Sequence, residues 1–111
     1  MTSRKLPAQD DSGKGFVGIL AVELYFPENG SLKAKRTYLR RMRDTLHRRH
    51  GASFAEVGHQ GLWQRARIVV AVAASDGGVL ARSMSGVRAY LDSQDWAVVS
   101  CREEVIEVDE D

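Results

Sequence analysis

The residues best suited to do chemistry in this sequence are concentrated in one basic segment. Between positions 31 and 50, eight lysines and arginines stand against a single acid, Asp44. Like charges three or four residues apart on a helix repel each other, and basic groups near a helix N-terminus oppose the helix dipole. Stability alone does not favour this arrangement, whereas clustered cations suit phosphate binding. The predicted phosphate-binding residues are Lys33, Lys35, Arg36, Arg40, Arg41, Arg43, Arg48 and Arg49.

The spacing of these residues predicts a continuous stripe. Positions 33, 36, 40, 43 and 47 are all basic or histidine and follow helical periodicity, opposite the apolar residues Leu39, Met42 and Leu46. A stripe of this kind matches a run of phosphates. The alternative is a solvated helix face that only keeps the protein soluble.

A second polar segment spans positions 55–66 and gathers a histidine, a tryptophan, two glutamines and an arginine. In a functional interpretation, Trp63 stacks on a base while the neighbouring polar side chains make further contacts. In a structural interpretation, Leu62 and Trp63 cover an open end of the core and His59 hydrogen-bonds the loop backbone. The residues of this predicted secondary contact are His59, Gln60, Trp63, Gln64 and Arg65.

The sequence offers little that predicts catalysis or metal binding. Cys101 is the only cysteine, so an intramolecular disulfide is excluded, and its place in an alternating strand predicts a small core residue. His59 and Glu56 share one short segment, which is a poor metal cage. No nucleophile is paired with a base along the chain. We therefore expect a protein that is not an enzyme and needs no cofactor or metal.

Length and composition predict a single small domain. The chain has 111 residues, 43% of them hydrophobic, and a formal net charge of +1. No apolar run approaches the ~20 residues that cross a bilayer, and the first 15 residues lack the apolar core of a secretory signal. We expect a cytoplasmic protein without a membrane partner. The near-neutral sum hides an asymmetry, since positions 101–111 hold six acids against Arg102. One hypothesis is that this acidic end folds over the basic helix.

Apolar periodicity and turn residues predict six elements in the order β-α-β-β-α-β. The predicted ranges are Phe16–Phe26, Leu32–His50, Ala52–Val57, Arg65–Ala74, Val79–Ser93 and Trp96–Val108. Right-handed crossings of two such halves give the α+β class ferredoxin-like plait, a four-stranded antiparallel sheet with both helices on one face. The predicted organisation is a flexible tail over 1–14, one domain over 15–108 and an acidic tail over 109–111.

One face of the predicted sheet carries mostly small apolar residues with Glu23 among them. If this face is open, Glu23 is exposed at little cost, and a homodimer through the sheet face is plausible. The third strand has no aromatic residue. Recognition of RNA by the sheet face, which relies on such aromatics, is therefore not expected.

Three stretches together resemble a known family: Gly18–Leu24, the helix start Ser31–Arg36 and the segment Ala55–Ala66. The chain is similar to the YlxP-like proteins of the bacterial domain-of-unknown-function family 503 over about residues 15–108. The resemblance implies a ferredoxin-like fold and a bacterial setting in which such genes often lie beside those for translation initiation and ribosome maturation. The family has no established activity.

We therefore expect a small non-enzymatic protein that associates with RNA or the ribosome. Its basic helix binds the phosphate backbone, with a possible part in ribosome maturation or translation. The alternative is a dimeric interaction or regulatory module whose interface is the sheet face.

Overall fold

The computed structural model describes residues 13–109, and these form one antiparallel sheet and two helices. The elements are β1 (Gly15–Tyr25), α1 (Leu32–His50), β2 (Ser53–Gly58), β3 (Arg65–Ala74), α2 (Gly77–Asp92) and β4 (Ala97–Val108). The predicted order of elements is confirmed, and every element boundary lies within two residues of its expected position. Residues 1–12 and 110–111, which include most of both predicted tails, lie outside the described residues.

The ends of α1 are set by the two residues that the sequence singles out. Ser31 is the N-cap, and its hydroxyl accepts a hydrogen bond of 3.0 Å from the Ala34 amide. Gly51 ends the helix in the left-handed region at φ 61°, where its amide donates to the carbonyl of His47. Asp76 caps α2 in the same way by accepting from the Val79 amide at 2.9 Å, so α2 begins at Gly77, two residues earlier than predicted.

The strand order is β2-β3-β1-β4, with every neighbouring pair antiparallel. This is the order of the ferredoxin-like plait, and the predicted fold class is confirmed. β1 lies between β3 and β4, so that Ile19 faces Ala71 on one side and Glu104 on the other. Two irregularities break the ladder, at Val57 in β2 and at Val99 in β4.

The core lies between the helices and one face of the sheet. Alternate residues of β1 and β3 point to it and are almost fully buried, as in the series Leu20, Val22 and Leu24. Each helix contributes one apolar stripe, and each leucine so buried stabilises the fold by about 1.5–3 kcal/mol. The helix residues of this core are Leu39, Met42, Leu46, Leu80, Met84, Val87 and Leu91.

The other face of the sheet is not covered by any described element, and we call it the open face. Its residues on β1 and β3 are the alternates to the core positions, and they are half-buried or exposed. Glu23 lies on this face, as the sequence predicts. Its carboxylate is, however, only 15% exposed, because three basic side chains surround it.

The acidic end of the chain does not cover the basic helix. Residues up to Val108 form β4, whose place is at the edge of the sheet opposite β2, and α1 packs chiefly against β2. Glu103 pairs with Arg88 of α2, and Glu107 lies 3.7 Å from Lys14. For the described part of the acidic segment, the hypothesis of folding over α1 is therefore wrong, because strand pairing with β1 holds it on the far side.

Candidate nucleic-acid interface

Seven of the eight predicted phosphate-binding residues lie exposed on α1. We call this set the α1 basic face; it consists of Lys33, Arg36, Arg40, Arg41, Arg43, Arg48 and Arg49. Arg43 pairs with its neighbour Asp44 at 3.2 Å. Within residues 13–109 the other six have no acidic partner. The α1 basic face therefore carries a positive charge that the rest of the described chain does not neutralise.

Three of these arginines line a groove between α1 and the edge strand β2. The cavity has a volume of about 310 Å³; α1 contributes Arg36, Arg40 and Arg43 to its lining, and β2 contributes the half-buried Phe54 and Glu56. Arg36 and Arg43 are seven residues apart, which is about 10 Å along the helix axis. About three successive phosphates of one duplex strand cover the same length. The groove thus combines a row of guanidinium groups with an aromatic ring.

Lys35 is not part of this surface, and its predicted role as a phosphate ligand is wrong. The residue is 1% exposed, and its Nζ lies 2.9 Å from Oε2 of Glu56 on β2. The same ammonium donates to the carbonyl oxygens of His59 at 2.9 Å and Arg65 at 3.1 Å, with that of Gln60 at 3.4 Å. Lys35 is enclosed because it lies on the core side of α1, where three carbonyl oxygens accept its hydrogen bonds and Glu56 balances its charge.

This buried ammonium connects the two most distinctive stretches of the sequence. It reaches from the start of α1 to both ends of the connection between β2 and β3, residues 59–64, which we call the β2–β3 loop. Asn29, itself buried, donates from Nδ2 to the carbonyls of Ser31 and Trp63 and joins the same parts from the other side. The loop is therefore fixed to the helix start by side chains and not only by its flanking strands.

The structural interpretation of the loop is wrong in one respect, because its large apolar residues do not cover the core. Leu62 is 50% exposed and Trp63 is 55% exposed. His59 also differs from that interpretation, since its ring nitrogen Nε2 lies 3.1 Å from Oε2 of Glu23 on β1 and not against the loop backbone. The indole of Trp63 is thus free to meet a partner, on a loop whose backbone is held in place.

The other predicted loop contacts already have partners within the protein. Gln60 donates from Nε2 to the carbonyl of Glu56, and Gln64 donates from Nε2 to that of Pro27, both at 3.1 Å. The guanidinium of Arg65 lies 3.5 Å from Glu23. Among these residues, Trp63 is the one whose side chain makes no hydrogen bond or ring contact in the described chain.

Cys101 differs from its prediction as well, since it is exposed and not part of the core. It lies on β4 opposite Val22, on the side of the helices. Partial burial raises the pKa of its thiol, and Asp92 raises it further, while Arg88 acts in the opposite direction. Residues 13–109 contain no group of three or more histidine, cysteine or acidic side chains that could hold a metal ion.

Two ion pairs were not identified from the sequence, that of Lys35 with Glu56 and that of Glu23 with His59. A signal for the first pair was present in the sequence. Lys35 precedes Leu39 by four residues and Met42 by seven, so helical periodicity places it on the buried stripe. Glu56 alternates with Phe54 toward the helices in the same way. The contact between Glu23 and His59 joins residues 36 positions apart, and no local sequence pattern predicts it.

These features define a class of protein: a small ferredoxin-like domain with a basic helix beside an edge strand and an uncovered sheet face. No helix in the described part of the chain is long and apolar enough to span a membrane. The chain matches the family described as "Protein of unknown function (DUF503)" over residues 17–103, and it belongs to that family.

One curated relative is the "Uncharacterized protein YlxP" of Bacillus subtilis (strain 168). It is 30% identical over 77 residues, which cover 69% of this chain and 84% of that protein. Among solved structures, the de novo designed protein Ferredog-Diesel overlaps 94% of each chain with 13% identity and a TM-score of 0.45. That similarity is too low to carry an argument.

Proposed function

We propose that this protein binds RNA, as a free molecule or within the ribosome, through the phosphate backbone and without catalysis. The observation that supports this proposal best is the groove between α1 and β2, which Arg36, Arg40 and Arg43 line together with Phe54. The acid that also lines it, Glu56, is ion-paired with Lys35. Guanidinium groups bind phosphate oxygens with two parallel hydrogen bonds, and an aromatic ring offers a surface for a base. The remaining basic residues of α1 extend the same field along the helix.

The charge pattern favours a protein that binds the phosphate backbone of RNA over one that recognises a base sequence. The α1 basic face presents cations but few groups that accept hydrogen bonds from base edges, so phosphates supply most of the affinity. Binding through Z phosphates releases counterions, and the logarithm of the affinity then falls with the logarithm of salt concentration with a slope of roughly −0.7Z for single strands. The exposed indole of Trp63 provides a second contact, by stacking on an unpaired base.

The experiment is a fluorescence-anisotropy titration with a labelled single-stranded RNA at several salt concentrations. The triple variant Arg36→Glu/Arg40→Glu/Arg43→Glu should lose binding while its melting temperature stays close to that of the wild type, because all three side chains are exposed. Arg40→Glu alone should weaken binding and make the salt slope shallower. Arg82→Glu is the matched control, since it reverses one exposed arginine on α2.

Binding that survives the triple reversal would refute the proposal, as would equal losses from Arg40→Glu and Arg82→Glu. Crosslinking in a bacterial lysate then asks whether ribosomal RNA is recovered with the wild type and lost with the triple variant. This comparison identifies the cellular target, which the helix chemistry alone does not name.

A second candidate is a homodimer through the open face, and one observation favours it. Val17, Ile19, Val69 and Ala71 form a flat apolar area across β1 and β3, and Ile106 of β4 lies beside Val17 while 45% exposed. A two-fold axis lying in the plane of this area would stack the same face of two copies against each other. Sedimentation equilibrium should then show a dimer that Val69→Lys dissociates, whereas a strict monomer at high concentration contradicts this candidate.

A further inference from the structure

The charged side chains of the open face lie toward one end of it, and Glu104 of β4, opposite Ile19, extends them toward the apolar residues. In the register of the sheet, Glu23 of β1 lies opposite Arg67 of β3 on one side and Ser100 of β4 on the other. Ala21 lies opposite Arg102 in the next row of the same face. We call the charged and polar residues gathered here the Glu23 cluster; its members are Glu23, His59, Arg65, Arg67, Ser100 and Arg102.

The carboxylate of Glu23 is the centre of this cluster, and donors already surround it. Arg67 Nη1 lies 3.3 Å from Oε1, while His59 Nε2 at 3.1 Å and Arg65 Nη2 at 3.5 Å approach Oε2. A guanidinium has five N–H donors in a fixed plane. The contact with Glu23 therefore fixes the orientation of Arg67 and leaves most of its donors for another acceptor.

The backbone is irregular at three places next to the row formed by Glu23, Arg67 and Ser100. β2 carries its irregularity at Val57, between the partners of Ile68 and Arg67, and β4 carries one at Val99, beside Ser100. His59 has a φ of 61°, the left-handed region that few residues other than glycine adopt. Bulges and such backbone conformations are enriched at functional sites, where they redirect side chains. Lys35 holds the carbonyl of His59 and so keeps that conformation in place.

A depression of about 180 Å³ lies on the open face, and Glu23 lines it together with two arginines and a serine that suit an oxyanion. Ala21 contributes only a methyl group, which leaves room between the longer side chains around it. Arg67 and Arg102 line the depression together with Ser100. Arg102 is 75% exposed and reaches Glu104 only at 4.0 Å, so most of its donors face solvent.

The local charge favours an anion despite the presence of Glu23. The cluster holds three arginines against this one carboxylate, and the nearest further acid, Glu104, lies at the limit of ion pairing. Because Glu23 accepts a hydrogen bond from Arg67 and is also ion-paired with Arg65, its repulsion of a second anion is offset within the cluster.

We propose that the depression between Arg67 and Arg102 binds a phosphate group. The two guanidinium groups donate to its oxygens from β3 and β4, and the Ser100 hydroxyl donates a further hydrogen bond. Glu23 lines the same depression but donates nothing to the ligand, and its ion pair positions Arg67, while His59 holds Glu23 from outside the depression. The volume is sufficient for a phosphate group, and the depression opens onto the open face, where the rest of a larger ligand would lie. This site is on the face of the sheet opposite α1, and it stands independently of the RNA proposal.

The test is a titration of the full chain with inorganic phosphate, followed by the backbone amide resonances in ¹⁵N–¹H spectra at constant ionic strength. Saturable shifts should be confined to residues around Arg67, Ser100 and Arg102. Arg102→Gln should weaken the apparent affinity by about tenfold or more, since it removes a charged donor. Arg82→Gln is the control for loss of one exposed arginine and should leave the affinity unchanged.

Glu23→Gln separates positioning from binding. It should leave the fold intact, because the amide is similar in size, but it releases Arg67 and weakens phosphate binding less than Arg102→Gln does. Shifts that are absent, that are strongest on α1, or that persist in Arg102→Gln would overturn the proposal.

Two further ligands identify the source of the phosphate. If a short RNA displaces inorganic phosphate from the wild type and from the α1 triple variant alike, the site takes a backbone phosphate. If a 5′-mononucleotide displaces it and RNA does not, the site takes a small phosphate ester. The α1 triple variant keeps the phosphate site intact, so failure of the RNA proposal and failure of this one give different results.

Discussion

Lys35 shows how far the role of one side chain can depart from its charge. A lysine in a basic segment predicts a surface contact, yet this ammonium is enclosed, with three carbonyl acceptors and an ion pair to Glu56. Removing one partner of a buried ion pair leaves an uncompensated charge, which typically destabilises a protein by about 3–5 kcal/mol. That is a large share of the 5–15 kcal/mol by which small domains are typically stable.

The first prediction concerns this residue. Lys35→Met should lower the free energy of unfolding by about 3–5 kcal/mol in urea titrations, because Glu56 loses its charge partner and three carbonyls lose their donor. Lys33→Met, an exposed neighbour, should change it by less than about 0.5 kcal/mol. The double variant Lys35→Met/Glu56→Leu should recover part of the loss, since the buried carboxylate is gone. Equal stability of Lys35→Met and Lys33→Met would contradict this account.

A second prediction concerns the reactivity of Cys101. Because burial raises the pKa of its thiol, alkylation by iodoacetamide at neutral pH should be slower than that of a free thiol, and its midpoint should lie on the alkaline side. Asp92→Asn should lower the pKa and speed the reaction, whereas Arg88→Gln should do the opposite. A rate profile with its midpoint below that of an ordinary thiol would disprove this prediction.

At the scale of elements, close packing of α2 on β1 depends on the absence of a side chain at Gly18. A Cβ at this position would lie 2.6 Å from Sδ of Met84, which is itself 1% exposed. Real Cβ atoms do not approach so closely, so the helix or the methionine would have to move. The lack of a side chain in the middle of β1 thus fixes the distance between helix and sheet.

Gly18→Ala should therefore destabilise the fold by about 1–3 kcal/mol, the range for overpacked cores. Gly15→Ala is the control in the same strand, because its Cβ would come no nearer than 3.9 Å to the carbonyl of Ala74. Thermal unfolding of both variants, with calorimetry, checks the difference. If Gly18→Ala melts at the temperature of Gly15→Ala, α2 does not pack as described.

The elements themselves were largely predictable from sequence, because their ends carry local signals. Ser31 and Gly51 bound α1 as expected from cap chemistry, and the uninterrupted apolar run of β3 identifies a central strand. The candidate sites were less predictable. Exposure of α1 follows from helical spacing, but the Glu23 cluster joins residues from β1, the β2–β3 loop, β3 and β4. Only the register of the sheet brings them together.

The whole molecule separates its charges by position. The α1 basic face lies beside β2 at one edge of the sheet, while Glu103, Glu104 and Glu107 lie on β4 at the other. A formal net charge of +1 is therefore the sum of two opposed regions and not the sign of a neutral surface. Charges farther apart than the Debye length, about 10 Å at 0.1 M salt, act almost independently on a partner.

This separation predicts retention on a sulfated polyanion column despite the small net charge. Arg40→Glu and Arg82→Glu change the net charge equally, yet Arg40→Glu should elute at clearly lower salt, because it lies within the α1 basic face. Glu104→Gln, on the far edge, should elute close to the wild type. Elution that follows net charge alone, with the two arginine variants together, would contradict the separation.

The ion pair between Lys35 and Glu56 also has a consequence for how these two positions evolve. The helix start and the β2–β3 loop lie more than twenty residues apart in sequence. Substitution of Lys35 alone nevertheless leaves Glu56 without its charged partner, and substitution of Glu56 alone leaves Lys35 without its charged partner. Each single step passes through a destabilised intermediate, so the two positions should change together or not at all among descendants of this chain. An alignment of related sequences would show this as paired variation at positions 35 and 56.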